Sequence, residues 1–266
     1  MKAKTAEAPF TLNFITAADY AKQRENIVRI PTGTLIDELC GGGIEQGEVA
    51  EFYGEWGSGK TQICNTLAVN IAGRGSQVLD IDTEETFKPD RIKQIAKARG
   101  LSIETVCENI LLAQPFTSKE QTAVLAHVPE TFHPKLIIVD SLTALFRFDY
   151  LGRGMLAERQ GLLRQFIHAL RNYARLNEAA TVVTNQVYGS PDATPFLPLE
   201  YKELAVGGHT VYHSIDLRFF LRKGKGNTRI AKLVDSCMYP QAERPFRISE
   251  RGIEDVETRE EQEKTT

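Results

Sequence analysis

The stretch from residue 54 to residue 61, Gly-Glu-Trp-Gly-Ser-Gly-Lys-Thr, decides the fold of this chain. It fits the pattern G-x-x-x-x-G-K-[ST], with an extended segment at 49–53 before it and a helical segment at 60–71 after it. The glycines let backbone N–H groups surround phosphate groups at a helix N terminus, where the helix dipole also favours negative charge. The stretch therefore predicts a phosphate-binding loop. The alternative is a glycine-rich turn that binds nothing.

Two side chains at the end of this loop indicate its ligand. Lys60 is expected to reach the β- and γ-phosphates of ATP, and the hydroxyl group of Thr61 is expected to bind Mg²⁺. We therefore predict ATP and Mg²⁺ as cofactors. The predicted nucleotide-binding positions are the loop and the residue after it, namely Gly54, Glu55, Trp56, Gly57, Ser58, Gly59, Lys60, Thr61 and Gln62.

Extended and helical segments alternate on the C-terminal side of the loop. Further strands are expected at 78–82, 110–113, 136–140 and 181–186, and helices at 90–98, after a capping box of Ser118 and Gln121, and through an amphipathic stretch at 162–173. This alternation predicts an α/β fold with a mostly parallel sheet flanked by helices. A hairpin of residues 217–221 and 229–234 and a last strand at 246–249 would add C-terminal antiparallel strands.

Three other segments carry weaker signals. Residues 14–24 could start a helix. Residues 187–208 combine prolines, glycines and mixed charges without a period, which predicts a long mobile loop of the kind that is usually functional. The charged residues 254–266 predict a disordered tail.

Acidic and amide side chains stand where three predicted strands end. Asp140 ends an all-apolar strand and fits the carboxylate that holds the metal ion through water. Glu84 reaches the same edge of the sheet and is the candidate base for the attacking water, with the neighbouring Glu85 as the alternative. Gln186 can bond a γ-phosphate and report the nucleotide state to the loop that follows. Together with Lys60, Glu84 and Gln186 are the predicted catalytic residues.

The composition limits the classes of function. Hydrophobic residues make up 42% and charged residues 25% of the chain, as in ordinary globular proteins. No apolar stretch approaches the roughly 20 residues of a membrane helix, and the first residues lack the apolar core of a signal peptide. We therefore expect an intracellular protein with no membrane partner, cytoplasmic if archaeal and nuclear if eukaryotic. The formal net charge of -3 means that nucleic acid would need a local basic patch.

Six stretches of the chain match, in the same order, the motifs of a known protein family. They are Gly-Glu-Trp-Gly-Ser-Gly-Lys-Thr-Gln-Ile-Cys (54–64), Asp-Thr-Glu (82–84), Val-Asp-Ser-Leu-Thr (139–143), Gly-Arg-Gly-Met-Leu-Ala-Glu-Arg-Gln (152–160), Thr-Asn-Gln-Val (184–187) and Leu-Arg-Lys-Gly-Lys-Gly (221–226). Together they resemble the RecA/RadA-type core of archaeal RadA and the eukaryotic strand-exchange recombinases. The resemblance covers about residues 14–256 and implies a RecA-type P-loop ATPase core. The ending Ile-Ser-Glu-Arg-Gly-Ile-Glu-Asp-Val-Glu is also similar to RadB paralogues.

The resemblance implies two DNA-binding loops. Residues 149–159 are similar to the first, so Arg153, between Gly152 and Gly154, would bind a phosphate of single-stranded DNA. Residues 187–208 would be the second loop, in which Val187 and Phe196 would separate base triplets.

The resemblance also implies contacts with the nucleotide and with a neighbouring subunit. Arg91 matches the residue that stacks on adenine, and His213 and Asp235 match groups that meet ATP across a subunit boundary. Phe14 and Ala17 match the F-x-x-A motif that docks on the neighbouring core, for which one face of an ordinary helix is the alternative.

The chain departs from the family pattern in four places. The leader is short for a helix-hairpin-helix domain, and the connection at 73–76 is also short. Glu200 and Glu203 weaken the expected attraction of the second loop for DNA, and Glu85 stands where the family has Gly or Asn.

The expected organisation is a leader with the polymerisation motif (1–30), a RecA-type ATPase core (31–253) and a tail (254–266). The implied function is a DNA-dependent ATPase of homologous recombination and DNA repair that binds single-stranded DNA as an ATP-bridged oligomer or filament and promotes strand pairing. One alternative is a RadB-like paralogue or mediator that acts on another recombinase. The other is a nucleotide-gated adaptor that docks on another recombinase and needs no turnover.

Overall fold

The computed structural model describes residues 14–25, 27–189, 194, 196 and 198–256, without the side chains of Arg153 and His209. None of the described helices combines the length and apolar character that a membrane span requires. The strands are β1 (Arg29–Ile30), β2 (Ile44–Glu45), β3 (Val49–Gly54), β4 (Val78–Asp82), β5 (Ile110–Ala113), β6 (Leu136–Asp140), β7 (Ala180–Asn185), β8 (Val187–Gly189), β9 (Glu203–Ala205), β10 (Leu217–Lys223), β11 (Thr228–Ser236), β12 (Ala242–Ser249) and β13 (Gly252–Asp255). The helices are α1 (Ala17–Arg24), α2 (Ile36–Leu39), α3 (Lys60–Ala72), α4 (Pro89–Ala98), α5 (Ile103–Glu108), α6 (Ser118–His127), α7 (Ala144–Asp149), α8 (Leu156–Asn177), α9 (Leu199–Lys202) and α10 (Gly208–Tyr212), with a 3-10 turn at Arg153–Met155.

A nine-stranded sheet with the order β13-β12-β11-β10-β3-β7-β6-β4-β5 organises the chain. The six strands from β10 to β5 pair in parallel. Strands β10 to β13 form an antiparallel meander that extends one side of the sheet. This is the predicted α/β architecture. Because β3, β7, β6 and β4 are parallel neighbours, the residues that follow them meet at one edge of the sheet.

Both faces of the sheet are buried. On β4, Val78 belongs to the apolar cluster that α3 and α4 cover, whereas Leu79 belongs to the cluster that α8 covers. Helix α8 buries the residues that its amphipathic period predicts, among them Leu163, Phe166 and Leu170. Burial on both faces explains why the central strands read as continuous apolar runs, and it fixes the positions of their polar ends.

Helix α1 starts later than residue 14, where the sequence suggested a helix could begin. Its N-cap is Thr16, whose Oγ1 accepts a hydrogen bond from the N–H of Asp19 at 3.1 Å. Residues of α1 are not buried in the described part of the chain. The helix is therefore held by its cap and by Arg24, whose guanidinium group forms an ion pair with Glu45 at 2.7 Å, and it adds no buried residue to the core.

The predicted capping box of Ser118 and Gln121 is wrong. Helix α6 is capped by Thr117, whose Oγ1 accepts from the N–H of Glu120 at 3.2 Å. Ser118 is buried, and its hydroxyl group donates to Asp149 at 2.6 Å. A tertiary contact that the local sequence does not reveal thus decides between two adjacent hydroxyl residues.

The segment 187–208, predicted as a loop without regular structure, contains a small sheet. Strand β8 pairs antiparallel with β9, with Val187 opposite Ala205, and α9 leads into β9. Strands of three residues are too short to show a period, so the sequence pattern missed them. Residues 190–193, 195 and 197 lie outside the described ranges.

The C-terminal end has one strand more than predicted. After β12 the chain turns at Gly252 and returns as β13. Glu254 and Asp255, assigned to the tail, pair with Arg247 and Phe246 in the sheet. The rest of the predicted tail, from residue 257, lies outside the described part.

Candidate nucleotide site

A cavity of about 570 Å³ lies at the carboxyl ends of β3, β4, β6 and β7. Its wall includes most of the predicted nucleotide and catalytic residues, namely Gly54, Glu55, Trp56, Gly57, Gly59, Lys60, Thr61, Gln62, Glu84, Asp140 and Gln186, together with Val187. Ser58 is fully buried and does not line the cavity, so it could contribute only through its backbone. The topology thus brings residues that are distant in sequence to one site.

Backbone geometry requires the motif glycines. Gly59 precedes α3 with φ 106°, in the left-handed region that favours glycine. A Cβ atom on Gly54 would lie 2.1 Å from the carbonyl oxygen of Leu221 on the adjacent β10. Helix α3 then begins at Lys60, so its N-terminal N–H groups and its dipole are at the cavity, as a phosphate group requires.

The ammonium group of Lys60 is held inside the loop. Its Nζ donates to the carbonyl oxygens of Gly54 at 2.8 Å and Glu55 at 3.0 Å. Burial lowers the pKa of Lys60, while the nearby carboxyl groups of Asp140 and Glu84 raise it. A partly buried cation with neutral acceptors is suited to a multiply charged phosphate group.

Asp140 and Thr61 present oxygen atoms to the same part of the cavity. Thr184 donates to Asp140 Oδ1, and Thr61 is a second hydrogen-bond partner of this carboxyl group. Burial raises the pKa of Asp140, and the bonds from Thr184 and Thr61 lower it. A carboxylate and a hydroxyl beside a phosphate site form a donor set that fits Mg²⁺, which is usually completed by water and phosphate oxygens.

Glu84 and Gln186 are in contact. Glu84 Oε1 accepts a hydrogen bond from Ser141 Oγ at 2.7 Å and another from Gln186 Nε2 at 3.1 Å. Glu85 has a left-handed backbone conformation with φ 55° and does not line the cavity. Of the two candidate bases, Glu84 is therefore the one that lines the cavity.

Asp82 has a structural function beside Glu84. Its carboxylate accepts from the N–H groups of Thr86 and Phe87, both at 3.0 Å, and from Gln114 Nε2 at 3.1 Å. These bonds hold the turn that follows β4. The position of Glu84 thus depends on Asp82 as well as on the strand.

Arg91, which the resemblance places against adenine, stands behind the cavity wall. Its Nε donates to Gln62 Oε1 at 2.8 Å, and Nη2 donates to the Ser249 carbonyl oxygen at 2.6 Å. Gln62 lines the cavity, whereas Arg91 does not. The guanidinium group is thus separated from the cavity by the side chain of Gln62.

The sequence interpretation missed several residues of the cavity wall. Arg229 on β11 lines the cavity and donates from Nε to the Gly57 carbonyl oxygen at 3.2 Å, which adds a second cation beside Lys60. The basic residues of the hairpin around 223–229 could have indicated that Arg229 belongs to the site. The other missed wall residues are Thr86, Ser141, Thr184 and Ile248.

His213 and Asp235, predicted to meet ATP across a subunit boundary, do not line this cavity. Asp235 lines a separate cavity of about 460 Å³ together with Tyr212. The ring of His213 meets the ring of Tyr212 edge to face, with 5.5 Å between centroids. The two predicted boundary residues therefore flank one surface.

A buried polar network joins that surface to the nucleotide site. Asn185 donates to Glu51 Oε1 at 2.9 Å, and Arg218 Nε donates to Glu51 Oε2 at 2.7 Å. The guanidinium group of Arg218 lies over the Tyr212 ring, 4.5 Å from its centroid. Because Gln186 follows Asn185, the network fixes the end of β7. Sequence analysis missed it because Glu51 looks like any polar residue in a strand.

The predicted DNA loops are only partly loops. Arg153 lies in the 3-10 turn, and α8 starts at Leu156, so the second half of 149–159 is helical. In the second region, Phe196 is 96% exposed. Glu200 forms an ion pair with Lys232, which offsets one of the acidic charges in that segment.

The predicted polymerisation motif is accessible. Phe14 is 87% exposed, and Ala17, at the start of α1, is also exposed. A large apolar side chain this exposed contributes nothing to the core of its own chain and is free to contact another surface.

The family model described as Rad51 matches residues 23–256, which is most of the chain and includes every strand of the main sheet.

Proposed function

The chain belongs to the Rad51 family, and from this we propose that it is a DNA-dependent ATPase that binds single-stranded DNA as an ATP-bridged oligomer. Family membership supports a recombinase-type role in recombination and repair, with binding of ATP and DNA. The observation that carries the proposal is the cavity in which Lys60, Thr61, Glu84, Asp140 and Gln186 converge.

Each of these residues has its own role in the proposed hydrolysis of ATP. Lys60 and the N terminus of α3 bind and orient the phosphates, and Arg229, which also lines the cavity, adds a second positive charge. Thr61 and Asp140 would hold Mg²⁺, which supplies charge neutralisation at the phosphates when bound. Glu84 accepts the proton of the attacking water, and Gln186 orients that water.

The fold indicates where the leader ends and where the ATPase core ends. We place the leader with Phe14 and Ala17 before the core, and we extend the core to Asp255, because β13 pairs through that residue. The surface around His213 and Asp235 contacts the nucleotide of the next copy, so assembly and nucleotide state are coupled.

Loss of Arg153 tests the DNA contact. Arg153→Ala should weaken binding of single-stranded DNA for all sequences alike and reduce the salt slope by about one unit, because one phosphate contact disappears. The measurement is affinity at several salt concentrations for a mixed strand and a homopolymer, with ATP and Mg²⁺ present. Arg164→Ala, an exposed arginine on α8, is the matched control. An unchanged slope for Arg153→Ala would remove this residue from the DNA surface.

Loss of Phe14 tests the assembly. Phe14→Glu should give a folded protein that is mostly monomeric, because it places a charge in an apolar pocket of the neighbour and leaves the chain's own core intact. Light scattering measures the size, and circular dichroism measures folding. Leu176→Glu changes another highly exposed apolar residue and should leave the size unchanged. If Phe14→Glu assembles like the unmodified protein, the motif has no docking function.

A further inference from the structure

Arg24, the last residue of α1, contacts two separate parts of the core. Its Nη2 donates to both carboxylate oxygens of Glu45, at 2.7 Å and 2.9 Å, and to the sulfur atom of Met238 at 3.7 Å. Glu45 belongs to β2, whereas Met238 belongs to residues 237–241 between β11 and β12, which we call the β11–β12 loop. One guanidinium group therefore joins the leader helix, β2 and this loop.

The carboxylate that binds Arg24 is buried. The side chain of Glu45 is 7% exposed, and that of Arg24 is 34% exposed. Arg29 approaches the same carboxylate at 3.4 Å. Without Arg24, this buried charge would keep only the longer contact with Arg29, and a buried carboxylate with an incomplete partner set is unfavourable. Burial of Glu45 therefore favours the attached position of α1 over a detached one.

The β11–β12 loop is held against the core. The N–H groups of Met238 and Tyr239 donate to Ser236 Oγ at 3.1 Å and 3.2 Å. The ring of Tyr239 packs against the apolar core and lies so close to Gly41 that a Cβ atom there would be 2.8 Å from the tyrosine hydroxyl oxygen. The loop therefore offers Arg24 a contact of fixed position.

The leader and the β11–β12 loop both present apolar side chains to the outside. Phe14, Ile15 and Tyr20 are each half exposed or more, and so is Met238. Exposed apolar side chains that lie close together indicate a protein partner. The loop begins two residues after Asp235, which is predicted to meet the ATP of the next copy. Because the loop continues this predicted boundary, the partner that fits the surface is a second copy of the chain.

We propose that Arg24 is a positioning residue for assembly, which fixes the leader beside the β11–β12 loop so that Phe14 and Asp235 meet the same neighbouring copy. With the leader held in place, docking of Phe14 does not have to order a free segment, and the entropic cost of association is lower. Contact by one of the two parts also brings the other part within reach of the same neighbour. The role of Arg24 rests on the proposed function and adds the residue that joins the two parts of its interface.

The first test is the protein concentration at which the full chain is half assembled, measured by light scattering with ATP and Mg²⁺ present. Arg24→Ala should raise this concentration by about tenfold, the equivalent of one hydrogen bond to a charged group. Arg24→Lys keeps a cation that can donate to Glu45 and should restore part of the assembly. Lys22→Ala removes an exposed positive charge from the same helix and should assemble like the unmodified protein.

The second test is hydrogen exchange of the α1 amides at a concentration at which the protein is monomeric. Arg24→Ala should lose most of the protection in α1, because the helix has no buried residue to hold it. Lys22→Ala should keep the protection. Unchanged protection in Arg24→Ala would mean that the ion pair does not hold the leader, and it would overturn the role of Arg24.

The two tests separate the role of Arg24 from the proposed function. If Arg24→Ala loses protection in α1 but assembles at the same or a lower concentration than the unmodified protein, the leader docks without being positioned. That result would overturn the role of Arg24 and leave the proposed assembly intact. An unmodified protein that stays monomeric at every concentration would overturn the proposed assembly together with the role of Arg24.

Discussion

Lys60→Ala is expected to abolish ATP binding at working concentrations. Removing one partner of a buried, hydrogen-bonded charge pair commonly costs about 2–5 kcal/mol, so the affinity for ATP should fall at least about thirtyfold. The Lys60 ammonium group is the cation that the phosphate loop itself encloses, between the Gly54 and Glu55 carbonyl oxygens. Trp56 is the single tryptophan of the chain and lines the cavity, so its fluorescence reports nucleotide binding directly.

A matched lysine controls for the loss of positive charge. Lys93→Ala removes an exposed lysine from α4 and should bind ATP normally. Circular dichroism should show both variants folded, because Lys60 contributes its bonds to the loop and not to the apolar core. If Lys60→Ala binds ATP with unchanged affinity, the phosphates are bound elsewhere and the assignment of the cavity is wrong.

Glu84→Gln is expected to separate binding from turnover. The amide keeps the size of the side chain but cannot accept a proton, and general base catalysis is worth about 10²- to 10⁴-fold in rate. Hydrolysis should therefore slow by that factor while Trp56 fluorescence still reports ATP binding. The measurement is single-turnover hydrolysis with Mg²⁺ present.

The neighbouring glutamate provides the comparison. Glu85→Gln should hydrolyse ATP at nearly the normal rate, because Glu85 does not line the cavity. The opposite pattern, with a slow Glu85→Gln and a normal Glu84→Gln, would mean that the base has been assigned to the wrong residue.

Much of the cavity wall could be predicted from sequence because the residue types that indicate it stand in local patterns. The loop pattern ends in Lys60 and Thr61, Asp140 ends an apolar run, and Gln186 follows a predicted strand. The carboxyl ends of parallel strands lie at one edge of the sheet whatever the order of the strands. Glu84 could therefore be assigned to this edge without knowing which strands lie next to its own.

The order of the strands could not be predicted from local sequence patterns. The cavity residues that the sequence analysis missed are placed by this order. Arg229 reaches Gly57 because β10 pairs with β3 and β11 pairs with β10, a placement that no local period encodes. The contact of Arg24 with Met238 likewise joins two segments that meet only after folding. Contacts between side chains of distant segments depend on the tertiary structure, and the spacing of residues in the sequence does not predict them.

We expect the chain to hydrolyse ATP in response to single-stranded DNA. The most direct test is the steady-state rate of ATP hydrolysis, with Mg²⁺ present, as the concentration of single-stranded DNA is raised. We predict a rate that rises and saturates with DNA and that disappears when Mg²⁺ is chelated. A protein that binds ATP but shows no hydrolysis at any DNA concentration would contradict the proposed ATPase function and would support a nucleotide-gated adaptor instead.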